Sequence, residues 1–168
     1  MVPGIDRCKQ PILIGFALAV AGCGASKPAL ETVHGRDYAF SAPATWTVVR
    51  GPRAVEASSG VRLVSVTRFA LLRRFRPDLW AAVVPEIDRS AETLAGQQHG
   101  AVTSRATATI AGLQARRYEV AYERRGKRLV ELLGFVLRGK TEYQLLCRYE
   151  RGQSSSACDT LLRTFKLT

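Results

Sequence analysis

Residues 134–141 read Gly-Phe-Val-Leu-Arg-Gly-Lys-Thr, the spacing G-x-x-x-x-G-K-[ST] with which a loop cradles nucleotide phosphates. That chemistry requires a strand, an open glycine loop whose amides face the phosphate, and a helix that opens at the lysine. The local pattern supplies the strand but neither of the other two. Phe135, Val136, Leu137 and Arg138 continue an apolar run, and Glu142–Glu150 alternates with a period of two. No metal-binding Asp ends an apolar strand; the nearest candidate, Asp88, falls in a helical stretch. The sequence therefore predicts a strand and a hairpin here. Gly139 takes a positive φ at the turn, and Arg138 and Lys140 flank it in solvent. No nucleotide is expected.

Other reactive residue types lack partners at useful spacing. Glu86, Asp88 and Glu92 could serve a two-carboxylate hydrolase, but on a helix this spacing describes a solvated face. His34 and His99 each precede a glycine and read as turn residues. Ser154, Ser155 and Ser156 lie near Asp159, which suits the start of a helix. Neither G-x-S-x-G nor H-E-x-x-H occurs, and no Cys/His cluster offers a zinc site. The expectation is a protein with no catalytic residues, no metal and no cofactor.

The N-terminus points to export. Arg7 and Lys9 precede an eleven-residue run of apolar and small residues, Ile12–Gly22. That length suits a signal peptide rather than a membrane span. The run ends Leu18-Ala19-Val20-Ala21-Gly22-Cys23, which resembles a bacterial lipobox. The resemblance implies a signal peptide over residues 1–22, cleavage after Gly22, and lipidation of Cys23. The mature protein would then be extracytoplasmic and held at the membrane by that lipid. Cys8 leaves with the signal, so Cys147 and Cys158 remain in an oxidising compartment, where they are expected to pair. Residues 23–36 read as the lipidated terminus and a tether, and 37–168 as the folded domain.

That domain needs elements to position its core. Short strands are expected near Asp37–Ser41 and at Trp46–Val49, with Trp46 in the core. Residues 60–69 alternate: Val61, Leu63, Ser65 and Thr67 on one face, and Arg62, Val64, Val66 and Arg68 on the other. Leu79, Val83, Ile87 and Leu94 form a helical stripe with Asp78 as its N-cap, and Pro85 should kink or restart that helix. Further strands follow over 101–110, 114–124, 127–138 and 141–150. Residues 127–138 are apolar on both faces, as a central strand is. A last helix, capped by serine, places Cys158, Leu161, Leu162 and Phe165 on one face, and that face can meet the sheet face bearing Cys147. The late connections are too short for parallel crossovers. The expected class is α+β: a mainly antiparallel sheet flanked by helices, an α-β-α sandwich.

The net charge is +11, with 20 Arg against 5 Lys. Arg and Ala in excess follow a GC-rich coding bias, and the charge is spread along the domain rather than massed in a nucleic-acid-binding tail. One basic–apolar stretch stands out, the expected loop Phe69–Pro77. There Arg73, Arg74, Phe75 and Arg76 could meet anionic lipid or an envelope protein. The alternative buries the apolar residues under the following helix and leaves the arginines in solvent.

Three segments in order, Phe40–Trp46 (FSAPATW), Ile110–Tyr122 (IAGLQARRYEVAY) and Tyr143–Leu167 (YQLLC…ACDTLLRTFKL), resemble PsbP-like envelope lipoproteins, including the LpqN type of actinobacteria. The resemblance spans most of the mature chain. It implies an antiparallel sheet between helices and carries no shared active site. The function expected is that of a non-catalytic binding or accessory module of the cell envelope. The alternatives are a carrier of a small molecule or glycolipid and, in a different class, a small extracytoplasmic hydrolase.

Overall fold

The computed structural model describes residues 28–168. The expected signal peptide and lipidated Cys23 lie outside the described residues. Nine strands and two helices follow one another: β1 (Leu30–Gly35), β2 (Tyr38–Pro43), β3 (Thr47–Arg50), β4 (Ala54–Ser59), β5 (Arg62–Phe75), α1 (Trp80–Gln97), β6 (Ala101–Ile110), β7 (Leu113–Arg124), β8 (Lys127–Glu150), α2 (Ser156–Thr164) and β9 (Lys166–Leu167). The large sheet has the order β3-β4-β5-β8-β7-β6, and a small one has the order β1-β2-β9; every pairing is antiparallel.

Strand β8 counts once in that order but doubles back. Fully extended, its 24 residues would reach about 80 Å. Its two ends instead meet. The Arg151 amide donates to the Arg128 carbonyl at 2.8 Å, and Lys127 Nζ lies 2.8 Å from Glu150 Oε2. Further in, Arg148 faces Glu131 at 3.6 Å, and a Cβ on Gly134 would lie 3.5 Å from that of Leu145. The pairs 128/151, 131/148 and 134/145 share one register, centred between Gly139 and Lys140, with Lys127 and Glu150 reaching each other diagonally, and Gly139 has φ +59°. The turn is thus a tight hairpin at the expected glycine. The first arm pairs with β7 through Ala115↔Val136, and the second with β5 through Val64↔Cys147.

This register sorts the core onto two faces. On one, Val64, Val66, Val136, Tyr143, Leu145 and Cys147 pack against α2 and the small sheet. On the other, Tyr118, Val120, Leu133, Phe135 and Leu137 pack against Ile87, Ala91 and Ala95 of α1. The first arm of β8 is buried on both faces, as its double apolar character requires, whereas the second is buried on the α2 face and half-buried on the other. The fold is the α+β arrangement expected, with a helix on each side of an antiparallel sheet.

Several local expectations are corrected. The tether does not reach residue 36, because β1 pairs along its full length with β2 and buries Val33. His34 accordingly lies on a strand, not in a turn. Residues 54–59 form a strand that the sequence reading omitted. The stretch Phe69–Pro77 is not a free loop: β5 runs to Phe75, with five steps from Ala70 to Phe75 opposite two on β8. Asp78 does not cap α1. It lies in a 3-10 turn, Pro77–Leu79, and takes a hydrogen bond from Arg76 at 2.8 Å. Helix α1 passes through Pro85 without restarting, since the sheet holds Val83 on one side of the proline and Ile87 on the other. No serine side chain caps α2 from its N-cap, Ser155. The Ser154 hydroxyl accepts from the Ser156 amide at 3.2 Å, and the Ser155 carbonyl takes the Cys158 amide.

Candidate functional site

Helix α1 lies over β6 and β7, the far side of the sheet from β5. The sheet face under β5 and the second arm of β8 is therefore left open beside the helix. The bulged end of β5 rises there as a wall, and a groove of roughly 520 Å³ forms between it and α1. Leu71, Phe75, Val83, Ile87, Phe135 and Leu137 line it. An adjoining depression of roughly 450 Å³ shares Glu86, Ser90, Phe135 and Glu142 and runs on to Phe69 and Gln144. The volume falls in the range of small-ligand sites, and a mostly apolar lining with few polar groups is their usual chemistry.

Glu142 is the polar group of the floor. It stands opposite Phe69 on β5, on the face that α1 only partly covers. Burial alone raises its carboxyl above the ordinary glutamate range, with neither a hydrogen bond nor a neighbouring charge contributing. Glu86 on the helix wall instead takes a hydrogen bond from Arg89 at 2.6 Å. Sequence reading passed over Glu142 because it sits as one charge in an alternating strand. Its burial depends on where α1 crosses the sheet.

The basic–apolar stretch divides between groove and solvent. Leu71 and Phe75 turn inward, Phe75 edge-on to Trp80 with ring centroids 6.5 Å apart. Leu72 is 100 % exposed, and Arg73 and Arg74 are exposed on the groove's rim. Arg76 pairs with Asp78.

The remaining candidates resolve into structural roles. Cys147 and Cys158 are bonded, with Cα atoms 5.3 Å apart, and tie the second arm of β8 to α2. Residues 134–139 lie on a strand and lead into another strand, so no phosphate loop forms. Gly134 is a packing glycine: a Cβ there would lie 3.3 Å from Ile110 Cδ1 and 3.8 Å from Leu162 Cδ2. Of the helix carboxylates, Glu92 takes a hydrogen bond from Arg105 at 2.6 Å. Asp88 takes two from Arg116 and one from the Tyr118 hydroxyl. These contacts hold the Asp88 carboxyl below the usual range, the Arg116 bond contributing most. Burial, then the bond to Asp88, pushes the Tyr118 phenol well above its ordinary value. A second buried pair joins Tyr122 to Glu131 at 2.7 Å; burial and that bond push Tyr122 up to about 12. His34 and His99 are exposed. Among the described residues no group of three or more His, Cys, Asp or Glu is placed to hold a metal, and no helix is long and apolar enough to cross a membrane.

An antiparallel sheet with a helix on each face and a groove beside one helix defines the class. No family model matches the chain, and no curated protein matches it in sequence. Solved structures do match in fold. LpqN of Mycobacterium tuberculosis, described as involved in cell envelope biogenesis, is 11 % identical with a TM-score of 0.50, over 83 % of this chain and 91 % of that one. A Bacteroides thetaiotaomicron protein gives a TM-score of 0.57 at 11 % identity over 79 % of this chain. This chain spans less than half, 45 %, of that protein's length. The likeness is one of fold.

Proposed function

We propose that the protein is a lipid-anchored, extracytoplasmic accessory module of the cell envelope that binds an amphiphile without transforming it. The groove beside α1 carries this reading. It offers apolar walls for a chain, and one carboxylate, Glu142, that no donor among the described residues engages, for the hydroxyls of a sugar headgroup. The LpqN-like fold supports an envelope role, and membership of the PsbP-like lipoproteins is part of the same proposal. The lipobox-like sequence supports an anchor at Cys23. The hydrolase alternative is weakened by the engagement of Glu86, Asp88 and Glu92 in ion pairs on α1.

Photocrosslinking in intact cells tests the reading. A benzophenone amino acid at Leu71, inside the groove, is expected to form lipid adducts detectable by mass spectrometry. The same residue at Thr47, on the far edge strand, is not. Equal adduct yield at both positions, or none at Leu71, would remove the groove from consideration.

A further inference from the structure

A second concavity, of roughly 590 Å³, lies where the β1–β2 turn, the start of β4, β5 and the β8 hairpin turn converge. Its lining brings together Arg36, Arg53, Arg68 and Lys140, with Thr141 and Phe69 between them. The backbone fixes this gathering. The Arg68 amide donates to the Arg53 carbonyl at 2.8 Å, so the two arginines stand opposite each other on neighbouring strands. Like charges placed so oppose the pairing. The positive φ of Gly139 sets the turn that presents Lys140.

Compensation is incomplete. Asp37, in the β1–β2 turn, takes a hydrogen bond from Arg68 Nη2 at 2.6 Å. Among the described residues Arg36, Arg53 and Lys140 form no ion pair, leaving four cations against one carboxylate. The Arg68 Nε is buried and has no acceptor. Three uncompensated cations and a hydroxyl suit a phosphate group, whose several oxygens can each take a donor, better than a single carboxylate, and guanidinium groups match phosphate oxygens in geometry.

We infer that this pocket binds a phosphate-bearing group, either a phospholipid headgroup or a soluble phosphate ester. Arg53 and Lys140 supply the charge that Asp37 does not offset. The pocket borders the apolar groove at Phe69 and Ala70, but none of its cations, Arg36, Arg53, Arg68 and Lys140, lines that groove. It also gives Lys140 and Thr141 a phosphate partner by a route unrelated to a nucleotide loop.

The test uses the full chain purified in detergent. Calorimetric titration with glycerol 3-phosphate is one arm; mixed micelles of the same detergent with phosphatidylglycerol, against phosphatidylcholine, are the other. Saturable binding is expected in at least one arm, weakening with salt. The Arg53→Ser/Lys140→Ser double variant, folded by circular dichroism, is expected to bind about tenfold more weakly or worse. The Arg124→Ser/Arg125→Ser variant, exposed at the β7–β8 turn and outside both pockets, is expected to bind as the parent does. Binding of glycerol 3-phosphate identifies a soluble ester, and binding of phosphatidylglycerol micelles alone identifies a headgroup. No saturable binding in either arm overturns the inference, as does an equal loss in both double variants.

Discussion

Arg116 on β7 grips Asp88 on α1 with two hydrogen bonds, from Nε at 2.9 Å and from Nη2 at 3.2 Å, across 28 residues of sequence. The Tyr118 hydroxyl donates to the same carboxylate from two residues along the strand. This contact joins the Arg105–Glu92 pair and the packing of Ile87, Ala91 and Ala95 in holding the helix over β6 and β7. That placement leaves the sheet face under β5 open, and the groove lies between the helix and the bulged end of β5.

Replacing Asp88 with Ala should leave the half-buried Arg116 and the buried Tyr118 without their acceptor. A loss of about 2–3 kcal/mol is expected, read as a lower urea midpoint. The pH dependence follows from the depressed Asp88 carboxyl. Its folded value lies below its unfolded one, so its contribution is present above the unfolded value, about 4, and fades as pH falls through the folded one. The gap between parent and Asp88→Ala should therefore be full at pH 7 and narrow steadily below pH about 4. A gap that persists unchanged into acid would show that packing, not the carboxylate, holds the helix.

The Cys147–Cys158 bond closes a loop with a sequence separation of 11. Restricting that loop in the unfolded chain is worth about 3 kcal/mol. The Cys147→Ser/Cys158→Ser variant is expected to unfold at a correspondingly lower denaturant midpoint, and the addition of a reductant should shift the parent but not the variant. Coincident parent curves with and without reductant would mean that the bond contributes nothing.

The bond was legible because two periodicities agreed. Tyr143, Leu145 and Cys147 alternate on a strand, while Cys158, Leu161 and Phe165 recur on a helix, and the faces meet. The Gly139 hairpin was legible for the same reason: an apolar run broken by one turn glycine and resumed in phase. Strand β4 was not, since Val55 is its one large apolar residue. Strand β1 buries Val33 alone, too little to separate it from a tether. The groove was illegible for a different reason. It depends on the lateral position of α1 and on the β5 bulge, and neither leaves a periodic trace. The basic pocket escaped because its four cations come from four separate segments.

Gly139 offers a test of the hairpin. A Cβ there would meet nothing within 4 Å, so space does not restrict the position; its φ of +59° does. Gly139→Val should cost about 1–2 kcal/mol through backbone conformation alone. Gly139→Asn should cost less, because asparagine tolerates the left-handed region. If valine and asparagine prove equally stable by chemical denaturation, the turn geometry is misassigned.

Glu142 carries the opposite sign from Asp88. Its carboxyl is raised by burial, so ionisation opposes folding. Below its unfolded value, about 4.3, both states hold the proton and the penalty vanishes; above it the unfolded state ionises first, and the penalty grows until the folded carboxyl ionises too. Glu142→Gln should thus raise the denaturation midpoint at pH 7 and match the parent at pH about 4 or below. If the groove recognises ligand hydroxyls through this carboxylate, the same variant should lose lipid adducts at Leu71 while gaining stability. A variant more stable at pH 7 with undiminished adducts would place recognition on the apolar walls alone. A variant no more stable at pH 7 would mean that the carboxylate is solvated in the free protein, and the groove floor would then be polar.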